Sequence, residues 1–316
     1  MKKSIFIIIM LAAVLFGVNG CKQKRNAKIG NSNGKINVIT SIYAPYDFVR
    51  QIAGDRVNLS MLLPPGSESH SFEPSPRDII SIQNSAVFIY VGGESEKWVE
   101  RILKSMNMER TKILAMMDAV DVIEEEIVEG MEMEEDDDEG NAFDEHVWTS
   151  PRNAVLIVRS ITDLLCEADS SNAAFYRQNA GSYIEELKEL DAAFKKITAE
   201  AKRKTIVFGD RFPFRYFADA YGLKYFAAFP GCSTETEPSA AAVAFLIDKI
   251  KNEKIPVVFY IELSNERMAD AISAETGAKK LLLHSCHNIT KRDFDSGLSY
   301  LDIMRRNTET LYEALY

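Results

Sequence analysis

"SNAAFYRQNAGSYIEELKELDAAFKKITAEAK", residues 171–202, runs about thirty residues without a proline. Read as one helix at about 1.5 Å per residue it would be ~45 Å long, enough to span a small domain. Its length predicts a rigid element linking two lobes. On both sides of it the sequence alternates between strand-like and helix-like segments, and such alternation implies parallel sheets covered by helices.

Before the long helix, strands are expected at residues 36–41, 57–63, 86–93 and 112–117. Helices are expected at 44–54, 76–85, 96–106 and 150–169, the last with Ser150 as its cap and Pro151 at the first helical position. After it, strands are expected at 204–209, 224–229, 256–262 and 279–284, with helices at 215–220, 238–252, 265–276 and 297–315. The expected fold is α/β: two lobes, each a mostly parallel sheet flanked by helices, joined by one long linking helix. The corresponding division places a first lobe at 36–170, the link at 171–202 and a second lobe at 203–316.

The start of the chain has a different character. Lys2 and Lys3 precede an apolar run from Ile5 to Val18 that ends in small residues and Gly20-Cys21. The run has the length of a secretory h-region and is short for a membrane span. It resembles a bacterial lipoprotein signal, which implies a signal peptide at 1–20, lipidation of Cys21 and an extracytoplasmic, membrane-anchored mature chain. Residues 21–35 are polar and rich in Asn, Gly and Lys, as a tether is.

The net charge of −10 is unevenly spread, since Glu124 to Glu139 holds eleven acidic residues and no basic one, leaving a remainder near +1. With no basic patch interleaved with aromatics, a nucleic-acid partner is not expected. The acidic loop, 124–139, reads as a solvated, self-repelling segment that attracts divalent cations only modestly.

Only four histidines occur, His70, His146, His284 and His287. At least three lie just beyond expected strand or element ends, where open parallel sheets place ligands. Any one alone reads best as an ordinary surface or core histidine. Together they suggest a common metal site, because imidazole is a frequent ligand of borderline transition metals.

"LLPPGSESHSFEPSPRD" (62–78) and "DEHVWTSPRNA" (144–154) resemble, in order, the first and second metal-site motifs of the zinc and manganese substrate-binding lipoproteins of ABC importers, the TroA-like, zinc-uptake family. Further echoes are "FRYFADAYGL" (214–223), "ETEPS" (235–239), "SAETGAKKL" (273–281) and "YLDIMRRNTETL" (300–311). The resemblance implies two lobes tied by a long helix, a divalent metal as cargo and delivery to a membrane permease by a monomeric receptor. Carried over by position, it gives His70 and His146 as metal ligands. The family's third histidine falls on Arg211, whose guanidinium stays protonated and cannot bind a cation. Two readings stand there: Asp210 supplies an oxygen while Arg211 orients it or holds an anion, or Asp210 and Arg211 form a structural ion pair. The fourth position falls on His284, with Cys286 and His287 as neighbouring candidates and Glu145 as a further cleft-lining one.

Three nitrogens with a carboxylate or water suit tetrahedral Zn²⁺, and a nitrogen-rich set argues against calcium or magnesium. Manganese, the weakest of the first-row divalent ions at a given nitrogen site, is the alternative cargo. Of the three cysteines besides Cys21, Cys166 reads as a small buried hydrophobe, and Cys232 and Cys286 as a candidate disulfide. Two other functions are weighed: a lipid-anchored zinc hydrolase, against which no helical H-E-x-x-H motif is present, and an adhesin on the same scaffold. The receptor reading predicts no enzymatic turnover.

Overall fold

The computed structural model describes residues 34–67, 72–131, 143–231 and 239–316. In the first half, β1 (Asn37–Thr40), β2 (Asn58–Met61), β3 (Val87–Tyr90) and β4 (Lys112–Ala115) form a parallel sheet in the order β2-β1-β3-β4. The sheet is covered by α1 (Tyr43–Ala53), α2 (Pro76–Gln83), α3 (Lys97–Ser105) and α4 (Pro151–Ala168). Helix α2 opens with a capping box between Ser75 and Asp78, with Pro76 in its first turn, a combination that satisfies amide donors which would otherwise be orphaned. At α4, Pro151 holds the expected place, but Ser150 caps through its backbone carbonyl, accepting from Ala154 N at 2.9 Å, and not through its hydroxyl.

The segment that predicted the link is helix α5, Ala173–Glu200. Tyr176, Ala180, Tyr183, Leu187, Leu190 and Phe194 are buried along it. Steps of three and four residues put these side chains on one face. That face touches α1 and α4 of the first half, and α6 (Arg215–Tyr221) and α10 (Tyr300–Leu315) of the second. One core of buried side chains therefore runs from Val38 and Phe48 through α5 to Phe208 and Met304.

The second half is likewise parallel but more broken. β5 (Thr205–Val207) pairs with β7 (Lys224–Phe226), β6 (Arg211–Phe212) with β8 (Phe229–Pro230), and β9 (Val257–Tyr260) with β10 (Lys279–Leu282). A parallel bridge from Phe208 to Phe259 ties the first of these pairs to the last. The expected strand at 224–229 is two strands, because the chain leaves β5 after Phe226 and takes up β6 from Phe229. Helices α7 (Ala240–Glu253), α8 (Arg267–Thr276) and α9 (Lys291–Asp295) complete the half. Ser239 caps α7 by accepting from Ala242 N. Two lobes of parallel sheet flanked by helices, joined by a long helix, are thus the architecture.

The acidic loop departs from its reading as a free solvated segment over the part described, 124–131. Glu124 bridges to Phe143, the Glu126 carboxylate lies 3.3 Å from the Tyr225 hydroxyl and 3.5 Å from Arg215 Nε, and Val128 and Met131 pack against the core. The apolar residues between the glutamates are what dock it. Residues 132–142, the rest of the run among them, lie outside the described residues.

Candidate metal centre

Two adjoining pockets lie at the carboxyl ends of the strands, the place where α/β sheets bind ligands. One is lined by residues that follow β1, β2 and β3, among them Ser41, Leu63, Ser95 and Glu96, together with Glu145, Trp148 and His287. The other, about 30 Å³ in volume, is lined from the first half by Ser67 and His146 and from the second by Arg211, Glu262 and His287, among others. That volume holds one water or one ion. His287 is common to both pockets.

His146 directly precedes the turn Val147–Thr149 that leads into α4, and it is 2% exposed. Its amide donates to Asp144 Oδ1 at 2.8 Å, and its Nδ1 faces the same oxygen at 3.3 Å without reaching hydrogen-bond geometry. Burial pushes the imidazole pKa down, but Asp144 and then Glu145 push it up, and the net shift is upward. A carboxylate facing Nδ1 leaves Nε2 as the ring nitrogen for a cation, the arrangement common behind metal-bound histidines. Asp144 Oδ2 is buried with no hydrogen-bond partner, so its charge is not spent on another donor. Gly231 stands against this pair: a Cβ there would lie 2.8 Å from Phe212 O and 3.1 Å from His146 Cε1, which only glycine avoids. Asp144→Asn is expected to weaken metal binding ten- to a hundredfold, read by competitive titration; unchanged affinity would show that His146 needs no carboxylate behind it.

His287 reaches the pocket from the turn after β10. Its ring meets His146 edge to face, with centroids 5.6 Å apart, and meets Trp148 at 5.1 Å. The backbone behind it is held from both halves. Tyr43 N donates to His287 O at 3.1 Å, Trp148 Nε1 to Ser285 O at 2.8 Å, and the Glu262 carboxylate accepts from His287 N at 3.0 Å. Asn288 Nδ2 donates to both Pro64 O and Ser67 O, tying this turn to the one that leads toward His70.

The other sequence candidates are placed as follows. His70, Cys21 and Cys232 lie outside the described residues. His284, which position along the chain favoured, does not line the pocket: its Nδ1 accepts from Cys286 N at 3.0 Å and its backbone is gripped by Asn307, so the ring shapes the turn. Cys286 is a free, fully buried thiol set into the core, neither on the cleft wall nor in a disulfide. Cys166 is buried, as expected. Asp210 directs its oxygens at Arg211 N and Ile261 N, and burial raises its pKa. It shapes the loop beneath the pocket, whereas Arg211 lines it. Glu145 accepts from Ser95 N and Ser95 Oγ and belongs to the neighbouring pocket. Among the described residues, no three His, Cys, Asp or Glu side chains converge closely enough to hold a metal.

Glu96 and Glu262 were not singled out from sequence. Glu262 ends the segment "PVVFYIE" (256–262), and an acid at the carboxyl end of a parallel strand was the available signal. Glu96 accepts from Val91 N and Gly92 N beneath the first pocket, and burial raises its pKa to about 7. A carboxyl with a raised folded-state pKa contributes stability that is present below its unfolded value near 4.5 and is lost as pH rises through about 7. Glu96→Gln should therefore remove about 3 kcal/mol of pH dependence between those limits, measured by denaturant unfolding at pH 4.5 and 8. An unaltered pH profile would contradict this.

Two parallel-sheet lobes, a linking helix and paired imidazoles where the lobes meet define a cleft-type binding protein. The chain belongs to the family "ZnuA: Zinc-uptake complex component A periplasmic", whose model matches residues 38–314. It is 32% identical over 315 residues to the high-affinity zinc uptake system protein ZnuA of Bacillus subtilis, covering 98% of this chain and 97% of that one. It is 33% identical over 316 residues to the zinc-binding lipoprotein AdcA of Streptococcus pneumoniae, covering 98% of this chain and 60% of AdcA, so it spans under two thirds of that relative. The crystal structure of the Zn(II)-bound ZnuA-like domain of AdcA matches with a TM-score of 0.75 at 31% identity, covering 89% of this chain and 99% of that domain.

Proposed function

We propose that this protein is the extracytoplasmic receptor of an ABC importer for zinc: it takes one Zn²⁺ from solution into the groove between its lobes and passes it to a membrane permease. The observation that carries this reading is the pair of rings, buried His146 from the first half and half-buried His287 from the second, edge to face at the carboxyl ends of the strands. Two imidazoles so placed are borderline-soft donors suited to zinc. In this reading His70 adds a third nitrogen, and water or a carboxylate completes four-coordination. The family's zinc-uptake role supports the choice of metal.

Function here is binding and release. A lipid-anchored zinc hydrolase would need an activated water and a general base, and we propose that the chain turns over no substrate. Cys21 as the lipid-bearing residue, anchorage to a membrane surface and a monomeric state belong to the same proposal, as does the division into lobes at 36–170 and 203–316. The sequence-level signal before Cys21 supports the anchor.

Elemental analysis of the purified soluble body, followed by competition between zinc and manganese, tests the reading. One zinc per chain, retained against excess manganese, is expected. A chain that takes up no stoichiometric metal, or that hydrolyses ester or peptide substrates when zinc-loaded, would overturn it.

A further inference from the structure

We infer that Glu262 is the positioning residue of this site: it sets the aim of His287 without itself binding the cation. The inference rests on the zinc reading above. Glu262 follows β9, the strand beside β10, and its side chain is 7% exposed. Its oxygens are engaged by the turn that carries His287. Oε1 accepts from Ser285 Oγ at 2.6 Å and from His287 N at 3.0 Å, and Oε2 accepts from Ser285 N at 2.7 Å. A carboxylate has about four acceptor positions, and three are used within this one turn. His284 Nδ1 stands 3.5 Å from Oε2, beside the remaining one.

The turn requires such a hold. Cys286, between the two residues that Glu262 grips, has φ of +62°, in the left-handed region that non-glycine residues disfavour. Conformations of that kind persist where their surroundings over-determine them. The other ties act elsewhere: Asn307 holds His284, Trp148 takes the carbonyl of Ser285, and Tyr43 takes the carbonyl of His287. Glu262 accepts the amides of residues 285 and 287, sharing the second with Ser285 Oγ at 3.3 Å, a hydroxyl that Glu262 itself holds. Those two amides fix where the Cα–Cβ bond of residue 287 points, and with it which pocket wall the ring joins. Glu262 is also the one carboxylate among the described residues lining that pocket, so its charge and its geometry have to be separated by experiment.

Zinc affinity is measured by competitive titration for the wild-type chain, Glu262→Asp, His287→Ala and the double variant. Glu262→Asp keeps the charge but shortens the side chain beyond reach of the turn. It is expected to weaken zinc binding tenfold or more, while the double variant binds within about twofold of His287→Ala alone, because a residue acting through another adds nothing once that other is gone. Glu262→Gln keeps the length and one acceptor oxygen, and the same cycle is run with it if the aspartate variant does not fold. Wild-type affinity in Glu262→Asp would overturn the inference by leaving only a charge effect. Penalties that multiply in the double variant would overturn it too. X-ray absorption at the zinc edge separates a ligand from a positioner: equal oxygen counts in loaded wild type and Glu262→Asp are expected, and loss of one oxygen in the variant would make Glu262 itself a ligand. Failure of the wild-type chain to bind zinc at all would instead strike the functional reading.

Discussion

His287→Ala is expected to lower zinc affinity by a hundredfold or more, and His146→Ala to do the same, whereas His284→Ala is expected to change it far less. The first two remove a nitrogen from the pocket in which the rings of residues 146 and 287 meet. Partners standing behind a metal ligand are already worth ten- to a hundredfold in affinity, so loss of a ligand reaches at least the top of that range. His284 differs because it does not line that pocket and because its Nδ1 accepts from the Cys286 amide, which in the neutral ring leaves the proton on Nε2. Titration of the three variants checks this. A His284→Ala penalty equal to that of His287→Ala would mean that the turn rearranges to present the other histidine.

Trp148→Ala is expected to destabilise the metal-free protein by about 3–5 kcal/mol, the range for deleting a buried aromatic. That corresponds to a fall in Tm on the order of 10 °C for a chain of this size. Trp148 is fully buried in the core shared by both halves. Its indole N–H donates to Ser285 O at 2.8 Å, and its own carbonyl accepts from the Tyr300 hydroxyl at 2.8 Å. One side chain thus stands behind both rings of the site and fastens the first half to the second. Trp148→Phe keeps most of the volume and loses the indole donor, so its cost falls to the roughly 1–3 kcal/mol of one buried unpaired carbonyl. Denaturant unfolding of the metal-free variants measures both. A loss under about 1 kcal/mol for Trp148→Ala would show that the lobes are held together elsewhere.

What the sequence disclosed follows from signal length. The 28 residues of α5 and the strands flanked by turn residues left clear periodicity, and the segment around His146 carried both a motif and a helix start at Pro151. β6 and β8, at two residues each, and α9, at five, are too short to leave a period. The division of labour between His284 and His287 was hidden for a different reason. It depends on the left-handed backbone at Cys286, a residue type that does not announce such a conformation. In the acidic run the charges masked Val128 and Met131, which pack inward. Asp144 and Glu262 act on the histidines through contacts fixed only by folding.

His146 and His287 are expected to close on one zinc ion where the lobes meet. Anomalous diffraction at the zinc edge from crystals of the loaded protein tests it most directly. A single strong peak is expected in that pocket, with a nitrogen of each ring about 2.0–2.1 Å away. A peak bonded to neither ring, or one placed on the acidic segment, would contradict it.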